Sequence, residues 1–285
     1  VRWCVALLAA CGHPDPAPAP TPPVVTAKWS CEAQPFALST PTPEASGAAW
    51  TEFRGKPALF VISDSGNNGA YGLVDPDSGN TLAQGKLEDG GHGDDYEGAA
   101  ARAGKIWLIA SNGYVGAVTR DGDAFHLGTL APVGGEDMVC KHKTGNCGRN
   151  FEGICLDDRP GKHAGCAGFA ASKADGKLYC LHEQNGTYVA DGEHAIDVTA
   201  PKHLADCAIG DDGTLWAGAN ILGGNVLYRI DSWEDPARAR ITEIGPVGIG
   251  NAEVVAVRGD VVYRLSDTDG SPSLMAKFRC SPATR

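Results

Sequence analysis

Methionine is nearly missing from this chain of 285 residues, with two in all, and aromatic residues make up only 7%. Positive charge is also scarce: 24 Lys and Arg stand against 35 Asp and Glu, a formal net charge of -11. Nucleic-acid binding rests on counterion release by a basic surface, so this balance argues against a nucleic-acid partner. No apolar run reaches the roughly 20 residues that a membrane-spanning helix needs. No useful stretch carries a helical period, no GxSxG nucleophile elbow occurs, and no paired CxxC spacing suggests zinc. What is abundant is punctuation: 38 glycines and 18 prolines, which signal many turns and short strands.

The N-terminus reads "VRWCVALLAAC", one positive charge, a short apolar run and a small-residue cleavage context. It resembles a bacterial lipoprotein signal over residues 1–11, with Leu8, Ala9, Ala10 and Cys11 as the box and Cys11 as the lipidated residue. Residues 12–28, including "HPDPAPAPTPPVVT", form an extended proline-rich tether. The expectation is an exported, lipid-anchored envelope protein, with membrane contact only through the lipid. Gly12, where some inner-membrane lipoproteins carry aspartate, tilts the expectation toward the outer membrane. Setting aside Cys4 and Cys11 leaves eight cysteines, an even number that favours disulfides in an exported chain. Cys140 and Cys147 close a short loop and are expected to pair. Cys155 with Cys166 and Cys31 with Cys280 are the further pairings expected.

From residue 29 onward a unit of roughly 50 residues recurs, within the range of propeller blades. The units begin near Gly47, Gly98, Gly153, Cys207 and Val254, and each has room for about four short strands joined by hairpin signals. The fifth unit is one strand short, and "SCEAQPFAL", residues 30–38, is a strand without a home. The sequence therefore predicts an all-β, five-bladed propeller over residues 29–285, closed by that N-terminal strand, which removes an exposed sheet edge. Cys31 and Cys280 would clasp the closure. Six blades and an open sandwich are the alternatives.

"DYEG" (95–98) and "NFEG" (150–153) set Glu97 and Glu152 at the start of inner strands, with Asp206 and Glu253 at the corresponding places of later units. Loops after the second strands carry Asp64, Asn67 and Asn68, then Asn112, Glu183, Asn220 and Asp267. Around one tunnel mouth these acids repel unless protonated, hydrated or bridged by a cation, and an oxygen-rich set suits Ca2+. Glu97, Glu152, Asp206, Glu253, Asp64, Asn112, Glu183 and Asn220 are the candidate ligands. The structural alternative is that such acids cap strand ends, accept N–H groups from the neighbouring blade, or line a water-filled tunnel. Between the second and third units, Lys141, His142, Lys143 and Arg149 lie in or beside the Cys140–Cys147 loop and are candidates for holding an anionic ligand.

"FEGI" followed by "LYCLHEQNG" is similar to the aromatic-Glu-Gly and strand-Glu pattern of SdiA-regulated propeller proteins. "SG...VISDSGNNGAYGLVDPDSG" resembles the first blade of related bacterial propellers, including the esterase-like phytase group. The resemblance covers most of residues 46–270 as a rhythm, and only Gly47, Asp64, Glu97, Glu152 and Glu183 stand in recognisable motifs. It implies an exported propeller with calcium sites and no assigned activity. Two functions follow. One is a monomeric binding module for a small anionic ligand or an envelope protein. The other is a metal-dependent hydrolase of an ester, lactone or phosphate, with His92, His142 or His182 moving protons.

Overall fold

The structure is a computed structural model that describes residues 28–87, 95–140, 147–159, 165–198, 203–221 and 224–283. The segment containing Cys11, most of the proline-rich stretch, His92, and Lys141, His142 and Lys143 lie outside the described residues. Among the described residues no helix is long and apolar enough to cross a membrane.

Five antiparallel sheets follow one another along the chain, forming the five-bladed propeller read from the repeats. Their inner strands are Ala45–Phe53, Tyr96–Arg102, Phe151–Leu156, Leu204–Ile209 and Asn251–Arg258, which number the blades 1 to 5. The local sequence explains the hairpins. Arg54-Gly55 and Ala103-Gly104 each adopt positive φ at both positions, the type I′ geometry whose twist matches the flanking strands. Second strands such as Lys56–Ser63 are buried continuously from Ala58 onward, because each blade packs a neighbour on either side.

The core divides accordingly into five hydrophobic clusters, one at each seam between blades. Phe60, Tyr71 and Phe125 fill the seam of blades 1 and 2, and Phe169 and Trp233 that of blades 3 and 4. The seam of blades 5 and 1 is filled by Leu59, Tyr263 and Met275. This last seam exists because the ring closes. Trp29–Gln34 pairs antiparallel with Pro272–Pro282 as the outer strand of blade 5, placing Cys31 opposite Cys280, and the two form a disulfide.

Cys140–Cys147 also pairs as expected. The expected Cys155–Cys166 bond is corrected: Cys155 joins Cys207 and Cys166 joins Cys180. Cys155 and Cys207 lie on inner strands of adjacent blades, whereas Cys166 precedes the second strand of blade 3 and meets Cys180 on the third. Four disulfides suit an oxidising, exported environment.

The inner strands share one irregularity that governs the site. Each slips register near its start, between Ala45 and Gly47, Tyr96 and Gly98, Phe151 and Gly153, Leu204 and Asp206, and Ala252 and Val254. The bulged residues are thus Ser46, Glu97, Glu152, Ala205 and Glu253. A bulge re-aims the side chain it carries. Directly below, the strands nearly touch. A Cβ on Gly47 would lie 2.6 Å from the Ala99 nitrogen, and one on Gly98 would lie 2.6 Å from the Gly153 Cα. Glycine is therefore required at both positions.

Cys31→Ser or Cys280→Ser should lower unfolding free energy by about 2–5 kcal/mol, since the bond closes a very long loop. Urea titration of the variants against the oxidised parent measures it, and an unchanged midpoint would show that the strand pairing alone holds the ring.

Candidate functional site

The bulges and the second-strand ends meet at the mouth of the central tunnel where the inner strands begin. Carboxylate oxygens of Glu97, Glu152 and Glu253, from three different blades, lie within 4.8 Å of one another. Asp64, Asp95 and Glu97 form a second triplet within the same distance, so Glu97 joins all five acids into one group. The three glutamates are buried.

Four of the five acids accept hydrogen bonds from their neighbours. Asn150 Nδ2 donates to Glu152 Oε1 at 2.9 Å, and Lys173 Nζ donates to Glu152 Oε2 at 2.7 Å. Asn220 Nδ2 and Asn251 Nδ2 both donate to Glu253 Oε1, at 2.7 and 3.2 Å. Ser111 Oγ donates to the Asp95 carboxylate, and the Ser65 backbone N–H donates to Asp64. Acceptor capacity is left over nearby: the amide oxygens of Asn112, Asn150 and Asn220 are buried and find no hydrogen-bond partner among the described residues.

Burial shapes the titration of the group. It pushes Glu152 up to about 7 against the opposing charge of Lys173, and pushes Glu253 up to about 7 with the charge of Glu152 adding to it. Asp64 rises to about 6, mainly through burial, with Asp95 and Asp267 contributing. Glu97 is driven well above the usual carboxylate range by burial first and by Glu152, Asp64 and Asp95 after it. At neutral pH the mouth is poised between protonated and ionised forms, a state that a bound cation would resolve toward ionisation.

Other residues singled out from the sequence fall elsewhere. Asp206 is not the counterpart of Glu97: its blade has Ala205 at the bulge, and Asp206 occupies the position of Gly98 and Gly153. It is fully buried, and its Oδ2 accepts the backbone N–H of Val255 in blade 5 at 2.8 Å. Burial holds its carboxyl well above the usual range, opposed by the N–H groups of Val255 and Cys207 and by Arg264. Arg264, also fully buried, donates from Nη2 to the Ala252 carbonyl at 2.8 Å. Asp206 and Arg264 thereby grip the backbone on both sides of Glu253 and set its bulge. For Asp206 the structural alternative, accepting an N–H from the next blade, is what the geometry contains.

Glu183 lies at the opposite face. The second strand of blade 3 is Gly168–Ser172, so Lys177–Gln184 is the third and runs away from the mouth. Glu183 is half exposed and pairs with Arg102 at 3.3 Å. Lys173, which follows the true second strand, takes the place expected for Glu183 and brings a positive charge. Asn112 is buried under the Cys140 backbone, whose N–H donates to its carbonyl at 2.9 Å. Arg149 pairs with Asp175 at 3.0 Å and stacks over Tyr179. His182 sits 3.4 Å from Asp191 on the outer strands of blade 3, away from the acids.

Asp95 and Lys173 are the participants that sequence reading missed. Asp95 had a signal, because Asp95-x-Glu97, Asn150-x-Glu152 and Asn251-x-Glu253 repeat one pattern. Lys173 had none, since it follows a strand, "GFAAS", without β-branched residues.

No protein-family model matches the chain, and no curated protein matches it. Among solved structures it is similar to the glutaminyl cyclase of Myxococcus xanthus, with a TM-score of 0.54, 13% identity and coverage of 90% of this chain and 99% of that one. A Parabacteroides distasonis protein assigned as a glycoside hydrolase gives a TM-score of 0.55 at 12% identity, covering 87% of this chain and 96% of that one. A GH130-family structure, described among mannoside phosphorylases and glycoside hydrolases that target β-1,2-mannosidic linkages, gives 0.53 at 10% identity over 84% and 85%. These likenesses establish architecture: the chain is a β-propeller.

The raised carboxyls make stability depend on pH. Their contribution is fully present below about 4.5, the ordinary glutamate value, and is lost as pH climbs through about 7. Metal-free protein should therefore melt higher at pH 5 than at pH 8. Glu253→Gln, which keeps the acceptor for Asn220 and Asn251, should recover about 1–3 kcal/mol at pH 8 and flatten the profile. Calorimetry in chelator reads both, and an unchanged profile would mean that the mouth is not strained by charge.

Proposed function

We propose that the protein is an exported, lipid-anchored propeller that binds calcium in its acidic tunnel mouth and presents the ion to an anionic ligand or an envelope partner. The observation that carries this reading is the convergence of Glu97, Glu152 and Glu253 from three blades to within 4.8 Å. Buried like charges of this kind are costly unless compensated. The donor set fits a hard cation, being all oxygen, with Asp64 and Asp95 adjoining and the unpartnered amide oxygens of Asn112, Asn150 and Asn220 as neutral additions nearby. Calcium would supply charge compensation and an open coordination position for a carboxylate or phosphate group. The "LAAC" box at Leu8 to Cys11 supports the anchor, and the rhythm shared with SdiA-regulated and esterase-like phytase propellers supports the general class.

A second reading, hydrolysis of an ester, lactone or phosphate, draws on Glu152. A buried carboxyl titrating at about 7 beside the Lys173 ammonium has the properties of a general acid–base group at neutral pH. The enzymes named among the structural neighbours are compatible with it. Glu152 would hold or move the proton, and Lys173 would stabilise developing negative charge.

Purified protein should carry stoichiometric calcium, and chelator should lower its melting temperature by several degrees at pH 7.5. Glu97→Gln should abolish both effects. No bound metal and no shift would remove the ion from the account. Calcium-loaded protein screened against aryl esters, lactones and phosphate monoesters, with Glu152→Gln as control, separates the two readings: turnover lost in the variant supports the enzyme, and calcium binding without turnover supports the binding module. Membrane fractionation of the parent and Cys11→Ser tests the anchor, which predicts release of the variant.

A further inference from the structure

Below the glycine constriction the tunnel widens into a cavity of about 580 Å³ that opens on the face opposite the acids. Its walls are apolar. Alanines come from four of the five inner strands, joined by Ile154, Leu156, Ile209 and Val257 and by the Cys155–Cys207 disulfide. Trp50 stands at the wall, with its indole nitrogen spent on the Val257 carbonyl at 2.8 Å. The volume lies within the range of small-molecule sites, about 300–1,000 Å³, and alanine walls leave it open where larger side chains would fill it. Water inside such a tube finds few polar partners, so an apolar body that displaces it gains free energy.

Charged groups are confined to the rim. Glu52, Asp158 and Asp211 come from three blades, and two of them are fixed in place: Asp158 accepts the Ala103 N–H at 2.7 Å and Asp211 the Gly259 N–H at 3.0 Å. Each keeps a second oxygen. The rim arginines are already engaged. Arg159 makes two 2.8 Å bonds to Asp157 and lies 3.6 Å from Glu234, while Arg258 stacks over Trp50 at 5.3 Å. Among the described residues, the cavity's three lining carboxylates stand beside two guanidiniums, one of which is already paired with Asp157 and Glu234. The Arg258 contact also marks the Trp50 face as a surface that accepts a cation.

We propose that this cavity is a second binding site, for an organic cation with an apolar body, an alkyl- or arylammonium whose head rests among Glu52, Asp158 and Asp211. Its body fills the alanine-walled tube up to the constriction. The site is distinct from the acidic mouth: the close approaches at Gly47, Gly98 and Gly153 lie between them, and none of the mouth's acids lines the cavity.

Three probes of equal chain length, octyltrimethylammonium, octanol and octanoate, test it by calorimetric titration of the full chain, with and without chelator. The ammonium should bind at least tenfold more tightly than octanoate, with octanol between, and chelator should leave all three unchanged. Ala208→Phe should weaken all three at least tenfold with the near-ultraviolet dichroism retained. The exposed double variant Asp158→Asn/Asp211→Asn should lose the ammonium preference and keep octanol binding, which guards against a folding defect in the wall variant. Absence of binding by the parent, octanoate binding as tightly as the ammonium, or a preference that survives the double variant would overturn the proposal.

Discussion

Backbone contact around the axis is the constraint on which this molecule depends. At Gly47, Gly98 and Gly153 adjacent inner strands come so close that a single added carbon would strike the neighbouring main chain. Just above this level each inner strand carries one bulged residue. Where that residue is glutamate, its carboxylate is thrust toward the axis. Serine and alanine at the equivalent places of blades 1 and 4 leave room for the three glutamates and for the carboxylates of Asp64 and Asp95. The acidic mouth is thus a product of closure geometry acting on a repeated sequence position.

The same contact divides the axis into two chemically different chambers. Above it lie oxygens from five acids and several amides, and below it lie alanine walls and a charged rim. Asp206 belongs to the divider. Lacking the glycine of blades 2 and 3, blade 4 fills the gap with a carboxylate and satisfies one of its oxygens from the main chain of blade 5. With Arg264 on the far side of Glu253, it adds buried polar contacts to a seam between blades 4 and 5 that is otherwise filled by Trp216, Leu227, Val255 and Val257. A buried pair of this type contributes less to stability than apolar packing would, and its value lies in fixing geometry.

Much of this was legible in the sequence, and the misses have physical causes. Five blades, the closing strand and the Cys31–Cys280 clasp followed from periodicity and from counting strands. Glu97, Glu152, Glu253 and Asp64 were placed together because inner-strand starts and second-strand ends share a face in any propeller. Glu183 was misplaced because Gly168–Ser172 is too short and too rich in small residues to announce itself, which shifted the strand count of blade 3 by one. The same slip hid Lys173. Asp206 was matched to the strand-start position of Glu97 and Glu152 because a one-residue register change cannot be read from "ADCAI" alone. Cys155 and Cys207 are 52 residues apart, and only the contact between blades makes them partners.

Closure by the N-terminal strand has a consequence for the order of assembly. Trp29–Gln34 is the first part of the domain to be synthesised, and its hydrogen-bonding partner, Pro272–Pro282, is the last. Until both exist, the earlier blades can form only an open arc with exposed edges, so the nascent protein carries an unmet pairing demand through nearly the whole of its synthesis. A chain lacking Pro272–Pro282 would leave the arc unsealed. The thiols of Cys31 and Cys280 meet only after the arc has closed, which makes their oxidation a molecular record of completed folding.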